Sequence, residues 1–175
     1  MDTVHSGDFM SGGLKKEVLA FIKWFAALPY AHKIFIAGNH DDFLYGATIE
    51  GLPDNTHYLC HSSIIIDGLT FYGIPLFMRD VVDGLYEDYV LQAPSDTNVL
   101  ITHQPPMGVL DLSDGIQYGN ALLLKCVQRI KPRYHLFGHI HASYGVVKQA
   151  GTVFSNGSLV NNSYELTNKA RVYEF

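Results

Sequence analysis

The residues able to do chemistry in this chain sit at the ends of apolar strings. Residues 34–37 (IFIA) run into Gly38-Asn39-His40-Asp41. Residues 99–102 (VLIT) end at His103, and residues 134–137 (YHLF) lead into Gly138-His139-Ile140-His141. Asp8 follows Gly7 after a short run near the N-terminus. Singly, each has an ordinary explanation: a carboxylate after glycine turns or caps the chain, asparagine tolerates a left-handed turn, and histidine suits a surface loop. Together, Asp8, Asn39, His103, His139 and His141 offer one carboxylate, one amide oxygen and three imidazoles. Such a mixed N/O set suits Zn, Mn or Fe(II), and suits a Ca or Mg cage less well. Glycines before Asp8, Asn39 and His139 are expected to let the backbone turn tightly, so that the side chains converge. His139 and His141 are one residue apart, and a bent loop would aim them at two different metals. His5, His32, His57, His61 and His135 share no pattern and read as structural or surface residues.

Composition bounds the rest. A length of 175 residues fits one domain, taken here as residues 1–175, and is long enough to bury a substantial core. Hydrophobic residues make up 47% and charged residues 17%, an ordinary globular balance. The net charge of −5 argues against broad, sequence-independent nucleic-acid binding but leaves room for a small phosphorylated substrate, because metal ions reverse the local charge. Cys60 and Cys126 stand alone and read as buried free thiols. The N-terminus shows no signal-peptide pattern and no apolar run is long enough for a membrane span, so a cytoplasmic setting is the expectation.

The elements that must position these residues follow from periodicity. Leu14, Val18, Ile22 and Phe25 repeat at helical spacing over residues 14–28, which predicts an amphipathic helix stopped by Pro29. A short buried strand follows at residues 33–38, then a short helix or ordered loop over 41–52. Residues 62–75 predict a hairpin turning at Asp67-Gly68. Helices are predicted over 83–92 and 119–130, and strands over 98–103, 133–141, 144–158 and 170–175. Early alternation of helix and strand with later hairpins predicts an α/β fold, a β-sandwich core flanked by helices. Chemical groups at the carboxyl ends of strands match the usual α/β arrangement. The aromatics Phe77, Tyr86 and Tyr118 read first as core residues and second as the lining of a nucleobase pocket.

The ordered motifs GDF, GNHD, THQPP and GHIH resemble the calcineurin-like metallophosphoesterase superfamily. The stretches SGDFMSGG, ALPYAHKIFIAGNHD, LTFYGIP and SNGS make the chain similar to its small MPPED-like phosphodiesterases. The resemblance implies a four-layer α/β/β/α fold and a phosphoester hydrolase that uses one or two divalent metal ions, Mn, Fe or Zn first and Mg next, to activate water. It implies that Asp8 bridges two metals, that Asn39, His103 and His139 complete one site, and that His141 belongs to the other. It implies that His40 protonates the leaving group or stabilises charge beside the phosphate, and that Asp41 orients His40. The family also carries an Asp-x-His motif about one βα unit before its GD. Here seven residues precede Asp8. The chain is therefore expected to be N-terminally truncated relative to the family, with the first strand missing and only Asp8 and His141 left for the second metal. Two readings follow: a phosphodiesterase acting on a small phosphorylated substrate such as a nucleotide, or a module of the same fold that binds metal and phosphate without turnover. Open strand edges would favour a homo-oligomer.

Overall fold

The computed structural model describes residues 1–10 and 14–174. Its longer strands form two sheets, beside one small two-stranded hairpin. The first holds β1 (Thr3–His5), β2 (Lys33–Phe35) and β3 (Thr56–Tyr58) in the order β1-β2-β3, all parallel. The second holds β4 (Ser62–Ile66), β5 (Leu69–Ile74), β6 (Val99–Thr102), β9 (Tyr134–Phe137), β10 (Gly145–Gln149) and β11 (Thr152–Asn156), in the order β10-β11-β9-β6-β5-β4. Its inner strands β5, β6, β9 and β11 run parallel, and the edge strands β4 and β10 join them through hairpins.

Strand alternation explains why the sheets stack as layers. In and after β2, Ile34 and Ile36 point one way and meet Ile66, Phe71, Val99 and Ile101 of the large sheet. Phe35 and Ala37 point the other way and meet Val18, Phe21 and Phe25 of α1 (Lys15–Ala26). On the far face of the large sheet, Tyr72, Ile74 and Leu100 pack against α3 (Leu85–Leu91) and α4 (Ala121–Ile130). Three apolar cores thus separate four layers, helix, sheet, sheet and helix, in agreement with the sandwich read from the sequence. No helix among the described residues is long and apolar enough to cross a membrane.

Turn chemistry accounts for most boundaries. Asp67 and Gly68 both take positive φ, 50° and 79°, as the tight hairpin requires. Asn120 caps α4 by accepting from Leu123 N at 2.9 Å. Lys33 is buried, and its ammonium donates to Leu28 O and Tyr30 O just beyond the end of α1, where cations are favoured.

Several expectations are corrected. The inner stripe of α1 is Val18, Phe21 and Phe25; Leu14 lies before the helix and is half exposed. Residues 41–52, by contrast, are as read, with one 3-10 turn, Asp42–Leu44, and otherwise loop. The helix expected over 83–92 is α3, and an additional helix, α2 (Met78–Val82), precedes it, the two separated where Gly84 takes φ 74°. The strand expected at the C-terminus is absent over residues 170–174. That segment is held instead by side chains, Tyr173 Oη donating to Ser155 Oγ at 2.7 Å and Tyr134 Oη to Glu174 O at 2.9 Å. Phe175 and the Ser11-Gly12-Gly13 end of the GDFMSGG stretch lie outside the described residues. Strand β3 and a small hairpin, β7 (Leu112–Ser113) with β8 (Ile116–Gln117), were not anticipated, although Asp114-Gly115 carries the same turn signal as Asp67-Gly68.

Two buried histidines give stability a pH dependence. Burial lowers His135 to about 3 and His61 to about 4. Both lie below the unfolded value near 6.5, so the unfolded chain takes up protons first as pH falls. Their contribution is complete above pH about 6.5 and is lost as pH falls below it, down to about 4 for His61 and about 3 for His135. The urea midpoint should fall across that window, and less steeply in His61→Phe. In the outer core, Leu100→Ala should cost about 2–5 kcal/mol by urea unfolding.

Candidate metal centre

The parallel strands deliver their carboxyl ends to one end of the sandwich. The loop after β1 brings Asp8 and the loop after β2 brings Asn39. β6 ends at His103 and β9 leads to His139. Asp8, His103 and His139 each place one ligand atom within 4.8 Å of the others. His103 Nε2 lies 3.1 Å from Asp8 Oδ2 and 3.0 Å from Asn39 Oδ1.

The tautomer of His103 decides what this arrangement wants. Its Nδ1 faces Ser6 O at 2.8 Å, and a carbonyl can only accept, so Nδ1 carries the hydrogen. In the neutral ring, Nε2 then presents a lone pair toward a carboxylate oxygen and an amide oxygen. Three acceptors converge on one point, a geometry that a cation resolves. Burial alone would raise the Asp8 carboxyl; in the protonated His103 ring, by contrast, Nε2–H would donate to Asp8, and that bond and charge, with the His40 amide, outweigh burial and bring the carboxyl down to about 2. Burial, aided by His103, lowers His139 to about 4 and keeps it neutral as a ligand must be. These residues fit a divalent ion.

The other site residues take distinct places. His40 is exposed, and its backbone N–H donates to Asp8 Oδ1 at 3.0 Å, which sets its ring beside the ligands. Asp41 is fully buried, and no hydrogen bond joins it to the His40 ring among the described residues. Its Oδ2 accepts from Gly38 N and Asp8 N, both at 2.8 Å, tying the β1 and β2 loops together. Burial raises the Asp41 carboxyl to about 6, with the nearby Asp8 charge adding to it. The orienting role expected of Asp41 toward His40 is therefore replaced by a hold on the ligand backbone. His141 lies outside the converging group. Its Nδ1 faces Asn161 O at 3.1 Å, leaving Nε2 as an acceptor, and its ring meets the edge of Tyr164 at 5.4 Å.

The glycines do different jobs from the uniform turning expected. Gly7 turns at φ 96°. Gly38 has ordinary φ and is needed for closeness: a Cβ there would strike the Asp8 carboxylate, and would lie 2.6 Å from Asp8 N and 2.7 Å from His103 Cε1. Gly138 has room, its nearest neighbour being Ser6 Oγ at 3.4 Å, and the turn is made by His139 itself at φ 67°. Asn156 was missed as a site residue. It is fully buried, and its amide donates to Ile140 O at 2.8 Å, fixing the loop between the two histidines. Its signal is present in the SNGS stretch, which reads only as the end of the strands over 144–158 and as part of the family resemblance.

The comparisons define the class first. The calcineurin-like phosphoesterase family model matches residues 3–143, and the chain belongs to that family of metal-dependent phosphoester hydrolases. A UPF0046 protein of Caenorhabditis elegans is 34% identical over 97% of this chain and 66% of its own length. Metallophosphoesterase domain-containing protein 1 of Homo sapiens is 35% identical over 94% of this chain and 61% of its own length. The chain thus spans a little under two thirds of these relatives. One solved structure superposes with a TM-score of 0.60 at 18% identity, covering 82% of this chain and 63% of its own, a likeness of fold.

Methyl-sized changes separate the glycine roles. Gly38→Ala should weaken Mn²⁺ or Zn²⁺ binding by about 10–100-fold in titration calorimetry, the range for changes that displace ligands indirectly. Gly138→Ala should leave it near the native value.

Proposed function

We propose that this chain is a phosphodiesterase-type phosphoester hydrolase acting on a small phosphorylated substrate, with a nucleotide within its range. The observation that supports this best is the convergence of Asp8, Asn39 and the lone pair of His103 on one cation-sized point, beside an exposed histidine. Asp8, Asn39, His103 and His139 hold the divalent ion, with Mn, Fe or Zn suited to their donors and Mg a further candidate. When bound, that ion supplies Lewis-acid stabilisation of phosphoryl charge and acidifies water.

The chain's own residues do the rest. Asp41 fixes the Asp8 and Asn39 loops in register through their backbone amides. His40, held by its N–H on the Asp8 carboxylate, is the proton donor to the departing alkoxide. His141 offers Nε2 toward a second ion with Asp8. Its separation from the main ligand group favours one alternative, a module that holds metal and phosphate without turnover. The open edges of β1 and β4 are the places where a second copy would pair.

Two variants separate these readings. His103→Ala should abolish both ion binding and hydrolysis of bis(4-nitrophenyl) phosphate with added Mn²⁺. His40→Ala should keep ion binding and lower kcat by about 10²–10⁴-fold. Ion binding with no hydrolysis in the unaltered chain would establish the binding module, and no ion binding at all would remove both readings.

A further inference from the structure

A cavity of 380 Å³ adjoins the ligand cluster, and His139 belongs to both. It lies between the α2–α3 turn and the loops that follow β6 and β9. The volume sits near the lower end for small-molecule sites, enough for one ring system rather than a long chain.

Its chemistry is selective. Leu76 and Met78 supply an apolar wall. Gln104 gives its Nε2 to Tyr118 O at 3.0 Å, so its Oε1 remains as an acceptor. Asn120 uses its Oδ1 to cap α4, so its Nδ2 remains as a donor. Tyr86, 2% exposed, closes the floor of the cavity, and its hydroxyl is shut off from that space.

The charge at the rim is negative. Glu87 lines the cavity, and no lysine or arginine does. The nearest basic residue in sequence, Arg79, is engaged elsewhere, 3.7 Å from the Asp83 carboxylate and over the Tyr45 ring. A second phosphate would meet a carboxylate here with no counter-charge.

Resting on the phosphoester-hydrolase reading above, we propose that this cavity receives the organic substituent of the phosphoester, an uncharged, hydrogen-bonding ring free of further phosphate. The phosphoryl group lies at the Asp8–His103–His139 cluster and the ring passes His139 into the cavity. Glu87 and Gln104 Oε1 accept from the ring, and Asn120 Nδ2 donates to it. Glu87 is the residue that turns anionic substituents away.

The test is ligand affinity on the Mn²⁺-loaded chain, read by calorimetry with phosphonates that cannot be hydrolysed. Phenylphosphonate should bind more tightly than methylphosphonate. 4-Aminophenylphosphonate should bind about tenfold or more tightly than 4-carboxyphenylphosphonate, as charge repulsion at a partly desolvated site implies. Glu87 is exposed, so Glu87→Lys should fold normally and should erase or reverse that preference. Equal binding of the amino and carboxy ligands overturns the proposal, as does an unchanged preference in Glu87→Lys. If inorganic phosphate binds but no phenyl ligand gains over methylphosphonate, the cavity assignment falls while the phosphoester reading stands. If neither phosphate nor any phosphonate binds, the parent reading falls and this one with it.

Discussion

A single buried carboxylate holds the ligand loops of this protein in place. Asp41 has no exposed surface, and one of its oxygens accepts from Gly38 N and Asp8 N at 2.8 Å each. Those two amides belong to loops from different strands, so the bond acts as a clasp between the ends of β1 and β2. Charge-assisted bonds to backbone amides are among the stronger ones available to a folded chain. The clasp in turn sets the close approach at Gly38, where any Cβ would collide with the Asp8 carboxylate. It thereby sets the distance between that carboxylate and His103. The other Asp41 oxygen is buried without a hydrogen-bond partner among the described residues, and the raised Asp41 carboxyl reflects the same desolvation.

The two sheets make this local arrangement reach across the sandwich. Asp8 and Asn39 come from the small sheet, and His103 and His139 from the large one. Ligands from opposite sheets can meet only if the strands that carry them end at the same level. Parallel pairing within each sheet provides that, and bonds between loops refine it. Leu76 N donates to Ala37 O across the sheets, and Gly138 N donates to His103 O between the two histidine loops. Buried Ile34, Ile36, Val99 and Ile101 fill the space behind the site, so the ligand loops rest on a packed floor.

The ligand types and their strand-end placement were legible in the sequence because each follows an apolar string with a clear period. Asp8, Asn39, His103 and His139 converge as their motifs suggested. The hairpin at Asp67-Gly68 and the capped helix α4 were equally readable, since local residues dictate them. What the sequence hid was non-local. The partner of Asp41 depends on a loop thirty-three residues away, so adjacency to His40 misled. Gly38 looks like a turn residue, yet its need is for contact with Asp8 and His103, which no local pattern encodes. The C-terminal segment has strand-like composition, but strands require partners, and it is held instead by Tyr173 Oη donating to Ser155 Oγ and by Tyr134 Oη donating to Glu174 O. Tyr118 reads as core and is 44% exposed, because the β7–β8 hairpin before it turns the chain outward. Phe77 and Tyr86 are buried as read.

Two of the converging side chains sit on left-handed backbone, Asp8 at φ 57° and His139 at φ 67°. Residues other than glycine enter that region at a cost of roughly 1–2 kcal/mol each. The rest of the fold offsets this cost before any ligand arrives, so the site is shaped in advance rather than at the moment of binding. Glycine would relieve the strain at either position and would also delete the side chain that justifies it. At these two points, thermodynamic stability and chemical purpose pull in opposite directions, and selection for a sturdier chain alone would erode them first.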